Sequence, residues 1–135
     1  MPKKILVIII FFFFPTVLQA DEFKFKKIVN LDEPWGSSFI NKNELIITEK
    51  KGKIKIININ SGEIFEASHN LNFKDHGQGG LLDIIYKENS LWISYSENRG
   101  DRKTSTSIAK ADFNRKNLSF KNIFQANPPI DSGYH

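Results

Sequence analysis

The sequence predicts an all-β chain of four-stranded sheets stacked side by side, the architecture of a β-propeller, and three observations predict it. First, short apolar runs alternate with turn-forming residues, and no stretch carries a helical period. Second, one unit is written twice: Leu45-Ile46-Ile47-Thr48 matches Leu91-Trp92-Ile93-Ser94 at an offset of 46 residues. That offset falls within the period of roughly 40–50 residues expected of propeller blades. Third, Leu45–Ile47 and Leu81–Tyr86 are apolar at successive positions, although hairpin-length turns call for antiparallel pairing. An open antiparallel sheet would alternate, so both faces must be covered, as they are when sheets are sandwiched between neighbours.

The elements follow in order. Residues 1–20 read as a secretory leader: Lys3 and Lys4, then ten unbroken apolar residues from Ile5 to Phe14, then small Ala20 before Asp21-Glu22. The apolar run is well short of the ~20 residues a membrane span needs, so membrane contact is expected only through an uncleaved leader. The expected location is periplasmic or secreted. Residues 21–135 then form one domain. Phe23–Val29 is expected as a first strand with no partner in its own repeat, of the kind that completes the last blade of a closed ring. Ser37–Ile40, Glu44–Glu49, Lys53–Ile59 and Glu63–Ala67 make the first blade, parted by Asn41-Lys42-Asn43, Lys51-Gly52 and Asn60-Ser61-Gly62. A polar loop from Ser68 to Gly80 leads to the second blade, Leu81–Tyr86, Leu91–Ser96, Thr104–Phe113 and Leu118–Gln125. Two blades cannot close a ring. The chain is therefore expected to be the N-terminal part of a longer propeller, with the outer blade faces uncovered and prone to association.

Composition narrows the function. The formal net charge of +4 includes the two leader lysines, and the remaining basic residues are scattered rather than gathered into a stripe. A nucleic-acid surface needs such a stripe, so nucleic acid is not an expected partner. Cysteine is absent, which removes disulfides, Cys-ligated metals and a cysteine-linked lipid anchor.

In a propeller the loop entering each blade's innermost strand lies at one mouth of the central channel. Pro34-Trp35-Gly36, Gly77-Gln78-Gly79-Gly80 and Asp131–His135 are the three such loops, so all are expected on one rim. Gly77-x-Gly79 opens a strand rather than a helix and is no dinucleotide fingerprint. His69 and His76 are expected to be solvated loop residues, and Trp35 and Trp92 core. Asp75 and Asp83 are not expected to form an acid/base pair.

Taken in order, Pro34-Trp35-Gly36, Ile47-Thr48-Glu49-Lys50-Lys51-Gly52-Lys53-Ile54, Gly77-Gln78-Gly79-Gly80-Leu81-Leu82-Asp83, Ile93-Ser94-Tyr95-Ser96-Glu97, Ile123-Phe124-Gln125 and a Pro-containing loop ending in His135 resemble the start of the soluble quinoprotein glucose/sorbosone dehydrogenases, which include the aldose sugar dehydrogenases. The likeness runs from about Leu31 to His135. It implies a six-bladed propeller, exported, that binds pyrroloquinoline quinone (PQQ) and calcium. It also implies oxidation of an aldose at C1, hydride passing to the quinone while a histidine takes the C1 hydroxyl proton. His135 matches that general base, and an imidazole that titrates near neutrality suits the role. Gln78 matches a residue that hydrogen-bonds near the sugar's reacting end. Tyr134 departs from the small residue more usual in relatives. The quinone clamp and calcium ligands of the family lie in later blades, so the resemblance assigns no cofactor-binding or metal-binding residue here, and this part alone is expected to be inactive. The electron acceptor is left open. The alternative is a propeller that kept the scaffold as a non-catalytic binding or interaction module.

Overall fold

A computed structural model of the chain describes residues 23–131, so the leader and His135 lie outside the described residues. Among these residues there are ten strands and no helix. β1 (Pro34–Asn41), β2 (Glu44–Glu49), β3 (Lys53–Asn58) and β4 (Ile64–His69) make one antiparallel meander. β5 (Leu81–Lys87), β6 (Ser90–Asn98), β7 (Lys103–Asp112) and β9 (Lys121–Gln125) make a second. Two short strands complete the sheets: β8 (Asn117–Leu118) runs parallel to β4, and β10 (Ile130–Asp131) lies against the start of β7. The β5–β6 turn is a two-residue hairpin. Glu88 and Asn89 both take positive φ (49° and 58°) between the paired Lys87 and Ser90, which matches the right-handed twist of the flanking strands.

The sheets pack face to face. Ile46, Ile54 and Ile56 from the first meet Leu81, Ile84, Leu91 and Ile93 from the second, none more than 1% exposed. Each such side chain contributes about 1.5–3 kcal/mol by leaving water. The faces used are opposite. Ile46 and Trp92 hold the same place in the repeat, yet Ile46 is buried between the sheets while Trp92 lies on the outer side of the second, with the Lys110 ammonium 4.7 Å from its ring centroid. Tandem units stacked in the same sense do this. The outer face of the second sheet stays uncovered, with Ile85 and Phe124 about half exposed.

Four expectations are revised. Phe23–Val29, expected as a strand without a partner in its own repeat, enters no sheet among the described residues, and Phe23 and Phe25 stand almost fully exposed. Its end, Ile28-Val29, passes the Gly62 turn, and the chain then runs up to β2, where the Asp32 N–H donates to the Glu49 carboxylate (2.8 Å) and the Lys50 N–H to the Glu33 carbonyl (3.0 Å). Glu49 is 1% exposed and also accepts from Lys55 Nζ at 2.7 Å, so this buried carboxylate is what anchors the crossing. Second, Leu118–Gln125 is two elements rather than one strand. Leu118 and Phe120 sink into the core, which carries β8 back to the first sheet, and the Asn70 side-chain amide brackets the Phe120 backbone (2.8 and 3.1 Å). Third, Trp35 is 52% exposed on innermost β1, and Trp92 is only partly covered, so neither is core. Fourth, His69 ends β4 and is tied down: its Nδ1 accepts the Leu71 N–H, so Nε2 carries the proton and donates to the Gly52 carbonyl at 2.7 Å.

Candidate functional site

Gln78 sits in the loop that enters β5, and the residues around it explain how that loop is held. Gly80 has φ +141°, and a Cβ there would lie 2.2 Å from the Lys50 carbonyl oxygen, so the loop presses directly on the β2–β3 turn. The Leu81 N–H donates to that same carbonyl (3.1 Å), and the Ser96 N–H of β6 donates to the Gly80 carbonyl (2.9 Å). Gly36 plays the matching part on the first sheet: a Cβ on it would lie 2.6 Å from Asp83 Cα, so β1 and β5 approach more closely than a side chain allows. Thr48, fully buried, accepts the Gly36 N–H (3.0 Å) and donates to the Leu82 carbonyl. Nearby, the Tyr86 N–H donates to Ser38 Oγ at 3.0 Å, again from sheet to sheet. Pro34-Trp35-Gly36, expected as a loop, is the first part of β1, with Pro34 opposite Glu49. These motifs thus interlock as the joint between the sheets, and Gln78 is the exposed residue that they hold out at its end.

The same end of the second sheet gathers two more pieces of chain. The β6–β7 turn, Arg99–Arg102, projects there, because Asn98 pairs with Thr104. β10 joins it through Ile130 opposite Thr104 and Asp131 opposite Lys103. Between these pieces and the Lys74–Gly80 loop lies an open groove of about 460 Å³ lined by Lys74, His76, Asp101, Arg102 and Asp131. The sequence points to His76 as a solvated loop residue and to Asp131 as the start of the third rim loop, and singles out none of Lys74, Asp101 and Arg102. A charged loop flanking a turn is too common a pattern to be read as a wall.

Among the described residues no group of three or more His, Asp or Glu side chains could hold a metal ion. The cations of the groove, Lys74 and Arg102, are matched by the carboxylates of Asp101 and Asp131. Gln78 is exposed in the loop that enters β5, and His135 lies beyond the described residues.

Elsewhere the charges are structural. Arg115 clamps Glu44 through two hydrogen bonds (2.8 and 2.9 Å), joining the β7–β8 link to β2. The guanidinium, with the Asn41 amide, holds the Glu44 carboxyl below its ordinary value, and Glu44 raises Arg115 in return. Burial pushes the Tyr95 phenol up, although its hydroxyl donates to Asn122 Oδ1 at 2.7 Å.

Comparison with known proteins accounts for this arrangement. The family model described as glucose/sorbosone dehydrogenase matches residues 31–135. An aldose sugar dehydrogenase of Escherichia coli is 30% identical over 114 aligned residues, covering 78% of this chain and 31% of that one. Its apo crystal structure superposes with a TM-score of 0.70 at 28% identity, covering 78% of this chain and 33% of that one. The fold is shared with the PQQ-bound aldose sugar dehydrogenase of Streptomyces coelicolor, with a TM-score of 0.64 at 16% identity, over 73% of this chain and 32% of that one. The chain spans about a third of the length of these relatives. By the family match over residues 31–135, the two stacked sheets and the ordered motifs that join them, the chain belongs to the glucose/sorbosone dehydrogenase family.

Proposed function

We propose that this chain supplies one side of the site at which an aldose is oxidised at C1 with PQQ and calcium as cofactors, Gln78 and His135 facing the same sugar. The observation that carries the reading is the meeting of the Gln78 loop and β10 at one end of the second sheet. His135 is only four positions beyond Asp131, and four extended residues reach no more than about 14 Å. A neutral imidazole there can take the proton of the C1 hydroxyl, and the Gln78 amide can both donate to and accept from sugar hydroxyls. The cofactor supplies the redox chemistry when bound, and its seat falls to parts of the protein outside these residues. The leader, residues 1–20, would put the reaction outside the cytoplasm.

The test is a chimera in which residues 21–135 replace the matched segment of the E. coli relative, assayed for dye-linked glucose oxidation with PQQ and calcium. The chimera is expected to turn over, and His135→Gln to abolish turnover while PQQ is retained. The 135-residue chain alone is expected to be inactive. Unchanged turnover in His135→Gln would remove this residue from the chemistry, and sugar oxidation by the isolated chain would contradict the division of labour.

A further inference from the structure

The groove beside Gln78 has five titratable side chains and no internal use for them. None of the side chains of Lys74, His76, Asp101, Arg102 and Asp131 makes a hydrogen bond or ion pair with another described residue. Yet the backbone that carries them is tied down on both walls. On one side the Lys74 N–H donates to the Ser96 carbonyl (3.0 Å) and the Gly79 N–H to the His76 carbonyl (2.8 Å). On the other, the turn is closed by Lys103 N–H to Gly100 carbonyl (2.7 Å) and Arg99 N–H to Lys103 carbonyl (3.0 Å). The Arg99 guanidinium reaches back to Ser105 Oγ at 2.9 Å, and the Asn98 N–H to the Asn72 carbonyl at 2.9 Å. Asp101 and Arg102 stand at φ 46° and 58°, a left-handed conformation that costs a non-glycine residue about 1 kcal/mol or more. Rigid walls with unspent polar groups are what a ligand site offers, since little ordering remains to be done on binding.

The chemistry of the lining selects the ligand. Two cations and two carboxylates cancel, so a ligand of strong net charge meets as much repulsion as attraction. A polyol suits the lining instead, because each hydroxyl can donate to Asp101 or Asp131 and accept from Lys74 or Arg102. The volume, about 460 Å³, lies within the range of small-ligand sites. His76 stands two residues from Gln78 in the same loop, so a sugar in the groove adjoins one at Gln78. We propose that the groove between the Lys74–Gln78 loop and the Asp101-Arg102 turn is an outer saccharide subsite, taking the non-reducing-end units of a neutral oligosaccharide whose reducing end lies at Gln78. This deepens, and rests on, the reading of the rim as a sugar site.

Binding can be read without turnover, so its failure is distinguishable from failure of the oxidation reading. The isotope-labelled chain would be titrated with maltotriose, cellotriose and glucose, following backbone amide shifts. At least one trisaccharide is expected to shift Lys74–Gln78 and Gly100–Lys103 at lower concentration than glucose does. Arg102→Ala and Asp131→Asn, both exposed positions, are expected to weaken that binding about tenfold, the effect of losing one charge-assisted hydrogen bond. A conservative Arg102→Lys should restore part of the affinity. The proposal is overturned if neither trisaccharide shifts these residues, if both variants bind as tightly as the parent, or if a trigalacturonate binds more tightly than the neutral sugars.

Discussion

The hydroxyl of Thr48 on β2 donates to the carbonyl of Leu82 on β5, from one sheet to the other, while it accepts the N–H of Gly36 on β1. Three strands are thus fastened by one fully buried side chain at the end of the sheets that carries Gln78. Thr48→Val keeps the shape and removes both bonds, leaving a carbonyl and an N–H unpaired between the sheets. The expected loss of stability is about 1–3 kcal/mol in chemical denaturation, with no loss of β content.

Gly80→Ala tests the contact beneath the Gln78 loop. The new methyl would collide with the Lys50 carbonyl, which cannot withdraw without moving the β2–β3 turn. We expect destabilisation of at least about 3 kcal/mol. Gly100→Ala is the control, since that glycine also has positive φ (75°) but nothing lies within 4 Å of its Cβ position. It should lose only about 1 kcal/mol. Equal losses at the two positions would mean that the close approach does not constrain the loop.

Gln78→Ala should separate scaffold from function. The residue is exposed and the loop is held by its neighbours, so stability should stay within about 0.5 kcal/mol of the parent. Sugar binding at the rim should weaken nonetheless. A large fall in melting temperature would make Gln78 a structural turn residue.

Acid stability should reflect the Glu44–Arg115 clamp. The folded carboxyl titrates below its ordinary value of 4.5, so the clamp's contribution is present above that pH and is lost as pH falls through the lower folded value. Arg115→Gln is expected to cost up to about 1 kcal/mol at neutral pH, since about half of the Arg115 side chain is exposed to solvent. The difference from the parent should vanish once Glu44 is protonated. A pH-independent difference would point to lost packing rather than lost charge.

Much of this was legible in the sequence for physical reasons. Successive apolar residues at Ile46-Ile47 demand two covered faces, and the structure covers both. The repeat matches Leu45–Thr48 with Leu91–Ser94, and these are β2 and β6, each the second strand of its sheet, but the outward stand of Trp92, expected as core, was not legible from it. What local pattern could not show was partnership. Phe23–Val29 has strand composition but no strand to pair with among the described residues, and Leu118-Ser119-Phe120 reads as the start of a strand until the depth of the core pulls it back across to β4. The groove was hidden for a related reason. Lys74, Asp101, Arg102 and Asp131 are far apart in the chain, and only the pairing of Asn98 with Thr104 and of Asp131 with Lys103 brings them to one end.

Shared placement of Gln78 and His135 is what everything functional depends on, and the absence of native cysteine makes it measurable. Nitroxide labels on Gln78→Cys and His135→Cys should broaden each other's spectra by dipolar coupling, whereas a pair on Gln78→Cys and Asn60→Cys, at opposite ends of the strands, should not. Non-interacting spins at positions 78 and 135, in a chain that retains its β content, would contradict a common sugar site.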